Sequence, residues 1–201
     1  MPTHNEGATQ VPLWNLANVL TMVRVALVPV FAVLMLGDST AARVGAVVVF
    51  LVAAATDKLD GHIARSRGLV TNFGKIADPI ADKALVIAAL LLLWAEGTIP
   101  WWVPVTIIVR ELGITLLRFI MVRRAVMAAS NGGKLKTVLQ IVFITGYLVP
   151  WGALLPQAAA DVVLLCTWWV MLLAVLVTVV TGVDYVVRAV RIARAPTRGA
   201  A

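Results

Sequence analysis

Four aspartates lie close together in a chain that is otherwise apolar: Asp57, Asp60, Asp78 and Asp82, within the stretch DKLDGHIARSRGLVTNFGKIADPIAD. They form two pairs, three residues apart in the first and four in the second, so on helices each pair occupies one face. Four carboxylates gathered at low dielectric repel one another unless a cation sits among them. Hard oxygen donors of this kind suit Mg²⁺ or Mn²⁺ rather than a thiolate-seeking metal. Around them, Gly61, Ala64 and Gly74 allow close approach by a helix or a flat ligand, and Arg65 offers a fork suited to phosphate. Together these residues describe a site for a metal-bridged diphosphate with a base or sugar lying against glycine. One ion or two would neutralise charge on a phosphate displaced in line.

The elements that position such a site must be membrane helices. The 201 residues are 61% hydrophobic and 13% charged, with a mean hydropathy of +0.96, whereas a soluble domain carries roughly 25% charged residues. Long apolar runs recur along the chain and predict an all-α integral membrane protein, a bundle of six transmembrane helices. The expected spans cover about 13–36, 41–65, 75–94, 101–122, 137–155 and 162–187. They form one catalytic domain over 13–194, flanked by polar tails at 1–12 and 195–201, with no pattern of a cleaved signal peptide in the first tail. Gly37, Asp38 and Ser39 separate the first two spans, and a polar hairpin at about 66–74 precedes the third. The third span is expected to begin near Lys75, because Pro79 suits a first helical turn. Gly97 to Pro100 form a turn, and Asn131, Gly132 and Gly133 read as turn formers in a basic loop. Trp101, Trp102, Trp151, Trp168 and Trp169 mostly flank spans, as interfacial anchors do.

The cations set an orientation. With six spans, one side receives Lys58, Arg65, Arg67, Lys75 and Lys83, the 118–136 group and the tail arginines; the other receives only Arg43. The excess of positive charge on one side places both termini and the aspartates at the cytoplasmic face of the cell membrane. The net charge of +7 is therefore a topology signal with an attraction for anionic lipids. No basic patch interleaved with aromatics argues for nucleic acid. Cys166, the single cysteine, excludes an intramolecular disulfide and reads as a packed small hydrophobe. His4 and His62 have no partner at zinc-like spacing.

Within the first span Asn18, Thr21 and Arg24 recur every three residues as a polar stripe. It either snorkels to the headgroups or faces the aspartate site. Ion pairs gluing helices together could account for Arg110 and Glu111, but not for four clustered aspartates that outnumber the neighbouring bases.

The pattern Asp57-x2-Asp60-Gly61-x2-Ala64-Arg65-x8-Gly74-x3-Asp78-x3-Asp82 resembles the signature of the CDP-alcohol phosphotransferases. The resemblance implies a six-helix bundle, usually a homodimer, that transfers a phosphatidyl or similar group from a CDP-alcohol and releases CMP. It implies that Asp57, Asp60 and Asp78 are metal ligands, with two Mg²⁺ or Mn²⁺ ions expected. Asp82 would be the last ligand and the general base. Gly61, Ala64, Arg65, Thr71 and Gly74 would meet CDP-diacylglycerol, with Asn18 and Thr21 added from the polar stripe.

The segments NLANVLTMVRVALVPVF, IVREL…LLR and GGKLKTVLQ resemble the phosphatidylglycerophosphate synthase branch, so the likeness extends over nearly residues 14–145. That branch uses glycerol 3-phosphate as acceptor, which agrees with the gathering of Arg110, Arg118, Lys134 and Lys136 on the cytoplasmic side. One departure is Phe119, where the family commonly has an acidic residue directly after the second arginine. Other acceptors remain open: inositol phosphate, phosphatidylglycerol to give cardiolipin, or serine. A cation transporter would place its carboxylates near the bilayer midplane and show repeat-related broken helices, and neither is evident in the sequence.

Overall fold

Apolar runs of this length satisfy their backbone hydrogen bonds internally, and helices are the elements that do so segment by segment. The computed structural model describes residues 16–67, 72–121 and 131–194; the side chains at 16–18, 57–67, 72–82, 118, 121, 131–132 and 194 lie outside the description. The helices are α1 Leu16–Met35, α2 Thr40–Arg67, α3 Asn72–Ala95, α4 Trp102–Met121, α5 Asn131–Leu148, the short α6 Trp151–Leu154, and α7 Gln157–Arg194. No strand occurs among the described residues.

Local chemistry sets the ends. Ser39 caps α2, its Oγ accepting the Ala42 N–H at 3.1 Å. Gly97 ends α3 with φ +74°, and the Gly97 and Thr98 N–H groups return to Trp94 and Leu93 at 2.8 and 3.0 Å. This is the left-handed glycine cap that only a residue without Cβ adopts at no cost. Pro150 ends α5 because it has no N–H to offer the Gly146 carbonyl; the Trp151 indole N–H takes that carbonyl instead, at 2.7 Å.

Several boundaries differ from expectation. α3 starts at Asn72, so Pro79 falls in its third turn rather than its first. α5 starts at Asn131, which makes Asn131, Gly132 and Gly133 its opening turn. Turn formers are tolerated there because the first N–H groups have no intrahelical partner anyway. The run expected to end near 155 is split into α5 and α6 by Pro150, and α7 extends beyond the expected 162–187 at both ends. Trp168 and Trp169 consequently lie more than a turn inside α7 rather than at its start.

α1 packs on α2 and α3, α5 on α7 and α2, α4 on α7 and α3. Phe31, Phe50, Leu90, Leu93, Ile107, Phe143 and Met171 fill the shared core, with the Phe31 and Phe50 rings 6.0 Å apart. The exterior is also apolar: Val33, Leu36, Val109, Leu116, Leu165 and Trp169 are all exposed. Such a surface suits lipid contact rather than water. Cys166 lies on it, exposed, and is not the packed core residue expected from sequence. By length and composition, Gln157–Ala193 could cross a membrane; Val19–Met35, Thr40–Thr56 and Lys83–Ala95 are shorter apolar stretches.

Candidate active site

The polar stripe of α1 turns inward. Thr21 and Arg24 are each 2% exposed, on the face that continues as Phe31 and Met35 and packs on α2 and α3. An arginine buried this deeply is not snorkelling, so Thr21 and Arg24 turn into the bundle; the aspartate side chains that the stripe would face lie outside the description. Asn18 lies outside the described side chains.

α2 is one unbroken helix through Asp57, Asp60, Gly61, Ala64 and Arg65, and α3 carries Gly74, Asp78 and Asp82. The backbone thus keeps the first aspartate pair at i, i+3 and the second at i, i+4, on helices that touch each other. The side chains of these eight residues lie outside the description, as does Thr71 altogether. A donor set of four carboxylates on two neighbouring helices fits a hard divalent cation, and these four residues are the ones that would hold it.

Next to Asp82 the described side chains begin, with a cluster that joins three helices. Glu111 of α4 lies between Lys136 of α5, Arg110 of its own helix and Lys83 of α3. Lys136 Nζ donates to Glu111 Oε1. Arg110 Nη1 donates to the same oxygen at 3.0 Å, and Lys83 Nζ stands 3.9 Å from Oε2. Lys136 is 4% exposed. One carboxylate therefore faces three cations in a weakly solvated place, where such charges interact strongly. Arg110 is further fixed by α7: its Nη2 lies 3.3 Å from Thr181 Oγ1, and its stem packs on Gly182, where a Cβ would come within 3.2 Å of Arg110 Cγ. A cavity of about 40 Å³, with room for a few waters, opens beside Lys83, Glu111 and Lys136 and reaches inward to Gln140.

Of the four cations expected to hold an acceptor, the structure brings Arg110 and Lys136 together. Lys134 is exposed, two residues from Lys136 and so on the far side of the helix, and it does not join them. The Arg118 side chain lies outside the description. Phe119, the departure from the family pattern, is exposed on the outer surface. From the sequence, Lys83 stands out only as an ionisable group near a span end, Glu111 as a candidate for a helix-joining ion pair, and Gln140 only as the last residue of the segment GGKLKTVLQ, with no role of its own. Their available signals were position: Lys83 directly follows Asp82, and Gln140 is four residues past Lys136.

The structure thus sets the two aspartate-bearing helices beside a cluster of three cations around Glu111. Residues 14–194 match the CDP-alcohol phosphatidyltransferase family, and the chain belongs to that family. A protein of Mycobacterium tuberculosis named "Probable phosphatidylglycerophosphate synthase" is 46% identical over 193 residues, covering 94% of this chain and 88% of its own length. A Bacillus subtilis protein named "CDP-diacylglycerol--glycerol-3-phosphate 3-phosphatidyltransferase" is 39% identical over 189 residues, covering 86% of this chain and 94% of its own. An Escherichia coli protein of the same name is 38% identical over 141 residues, 67% of this chain and 77% of its own.

Proposed function

We propose that the protein transfers the phosphatidyl group of CDP-diacylglycerol to glycerol 3-phosphate, giving phosphatidylglycerophosphate and CMP in phospholipid biosynthesis. The relatives' names support this reading, and the Lys83–Arg110–Lys136 cluster beside the aspartate helices is the observation that carries it. A small phosphate monoester needs concentrated positive charge next to the reacting centre, and an uncharged acceptor does not.

In this reading the bundle is a homodimer that crosses the cell membrane six times, with both termini and the charged end in the cytoplasm. The acyl chains of CDP-diacylglycerol stay in the bilayer, and its CDP moiety meets Asn18, Thr21, Gly61, Ala64, Arg65, Thr71 and Gly74. Asp57, Asp60, Asp78 and Asp82 hold Mg²⁺ or Mn²⁺, which when bound neutralises charge on the diphosphate. Lys83, Arg110 and Lys136, with Arg118, hold the acceptor's phosphate. Asp82 takes the proton from the free primary hydroxyl of glycerol 3-phosphate. The hydroxyl oxygen forms its bond to the phosphorus that carries the diacylglycerol as the bond from that phosphorus to CMP breaks. Arg65 balances charge on the departing CMP. Holding both substrates in line contributes most of the acceleration, because orientation removes much of the entropic barrier.

The test is to supply purified protein with CDP-diacylglycerol and one acceptor at a time, and to identify the lipid formed by mass. Phosphatidylglycerophosphate from glycerol 3-phosphate alone is expected. Cardiolipin from phosphatidylglycerol, or product from inositol phosphate or serine, would replace the acceptor while leaving the aspartate chemistry in place.

A further inference from the structure

Gln140 is a buried polar residue at the charged end that none of the contacts above explains. It lies on α5 four residues beyond Lys136, so the two share one face of the helix. Gln140 is 3% exposed, its Nε2 has no hydrogen-bond partner, and it lines the same cavity as Lys83, Glu111 and Lys136. A buried amide donor left unpaired is costly, and such groups in folded proteins usually mark a water or a ligand.

The cavity has two levels. Lys83, Glu111 and Lys136 form the outer one. Val86 and Ile87 follow Lys83 by about one turn, Ile107 precedes Glu111 by one turn, and Gln140 follows Lys136 by one turn, so these four form an inner level about 5.4 Å deeper. Apart from Gln140 the inner level is apolar, and Ile107 is fully buried. A third cation at that depth would carry a large desolvation cost, whereas a neutral amide can donate there without one.

We propose that Gln140 donates a hydrogen bond to a terminal phosphate oxygen of the acceptor, with Lys83 and Lys136 providing the charge from the outer level. Gln140 is then a specificity-determining residue that favours acceptors bearing a phosphate monoester. Such a group presents three terminal oxygens, one for each of the two ammonium groups and the amide that line the cavity. The inference rests on the proposed transfer to glycerol 3-phosphate.

Two variants test it: Gln140→Leu removes the donor at similar volume, and Gln140→Glu places a carboxylate against the phosphate. The readouts are KM for each substrate in CMP release, and the thermal shift that inorganic phosphate or glycerol 3-phosphate produces in chelator. Loss of one hydrogen bond to a charged group should raise KM for glycerol 3-phosphate roughly 10- to 100-fold. KM for CDP-diacylglycerol should stay unchanged, Gln140→Glu should be the worse of the two, and the thermal shift should disappear. An unchanged KM for glycerol 3-phosphate, as expected if Gln140 only holds a water, overturns the proposal. An equal rise in both KM values, the mark of general disturbance, also overturns it. If either variant fails to fold, Gln140→Asn, which keeps the amide but shortens its reach, is judged by the same split. Native protein run in parallel keeps the two readings apart. Absence of CMP release with glycerol 3-phosphate refutes the acceptor, while the phosphate-induced shift in Gln140→Leu still decides the role of Gln140.

Discussion

At one end of the bundle Arg43 reaches from the start of α2 to Glu96 at the end of α3, with two bonds of 2.5 and 2.8 Å, and its Nε donates to the Leu148 carbonyl at 3.1 Å. At the other end one carboxylate, Glu111, is shared among Lys83, Arg110 and Lys136. Both arrangements tie three helices together. The first is balanced: one cation meets one anion, and the arginine fork is matched to a carboxylate and a helix-end carbonyl. The second gathers three cations on one carboxylate among the described side chains, and it adjoins the helices that carry four aspartates. A bundle that needed only to stay closed could use the first arrangement at both ends. A cation cluster beside paired aspartates suits the proposed reaction between two phosphate-bearing substrates, and it distinguishes that end from the one closed by a single matched pair.

That contrast can be broken most severely at Asp82. A missing general base costs about 10²- to 10⁴-fold in rate, so Asp82→Asn should lose turnover by that order while still binding CDP, measured by CMP release and by nucleotide titration. Lys136→Met should come next. It removes one charge-assisted bond to phosphate, and KM for glycerol 3-phosphate should rise about 10- to 100-fold. It should also lower stability, because Glu111 then keeps only Arg110 and the more distant Lys83.

The closing end should respond in stability alone. A Cβ at Gly146 would come within 2.6 Å of Thr167 Oγ1, so α5 and α7 meet there with no spare room. Gly146→Ala should cost about 1–3 kcal/mol by overpacking, read by thermal unfolding in detergent, with both KM values unchanged. Glu96→Gln should be the mildest, at most about 1 kcal/mol for a pair that remains partly solvated, again with unchanged kcat/KM. A large loss of activity in Glu96→Gln would erase the distinction between the two ends.

Much of this was legible in the sequence, for identifiable reasons. The long helices among the described residues follow from apolar runs that polar residues, glycine and proline interrupt, and Ser39 and Gly97 act as the cap and stop that their types suggest. The aspartate pattern was legible because carboxylates are costly in an apolar chain and their spacing has few other uses. What pairs across the bundle was hidden. Lys83, Glu111 and Gln140 are far apart in sequence, and only the packing of α3, α4 and α5 brings them to one cavity. The inward turn of Arg24 depended on which face of α1 its neighbours cover. Gly132 and Gly133 favour a turn and a helix start alike, so composition did not place the start of α5. Cys166 misled because an apolar run reads the same whether it faces the core or lipid.

The most direct test of the central claim is the rate of CMP release from CDP-diacylglycerol, with and without glycerol 3-phosphate, across a Mg²⁺ titration in the native protein and in Asp82→Asn. The account predicts release only when acceptor and divalent cation are both present, and its collapse in the variant. Release that persists in chelator, that ignores glycerol 3-phosphate, or that survives in Asp82→Asn would contradict it.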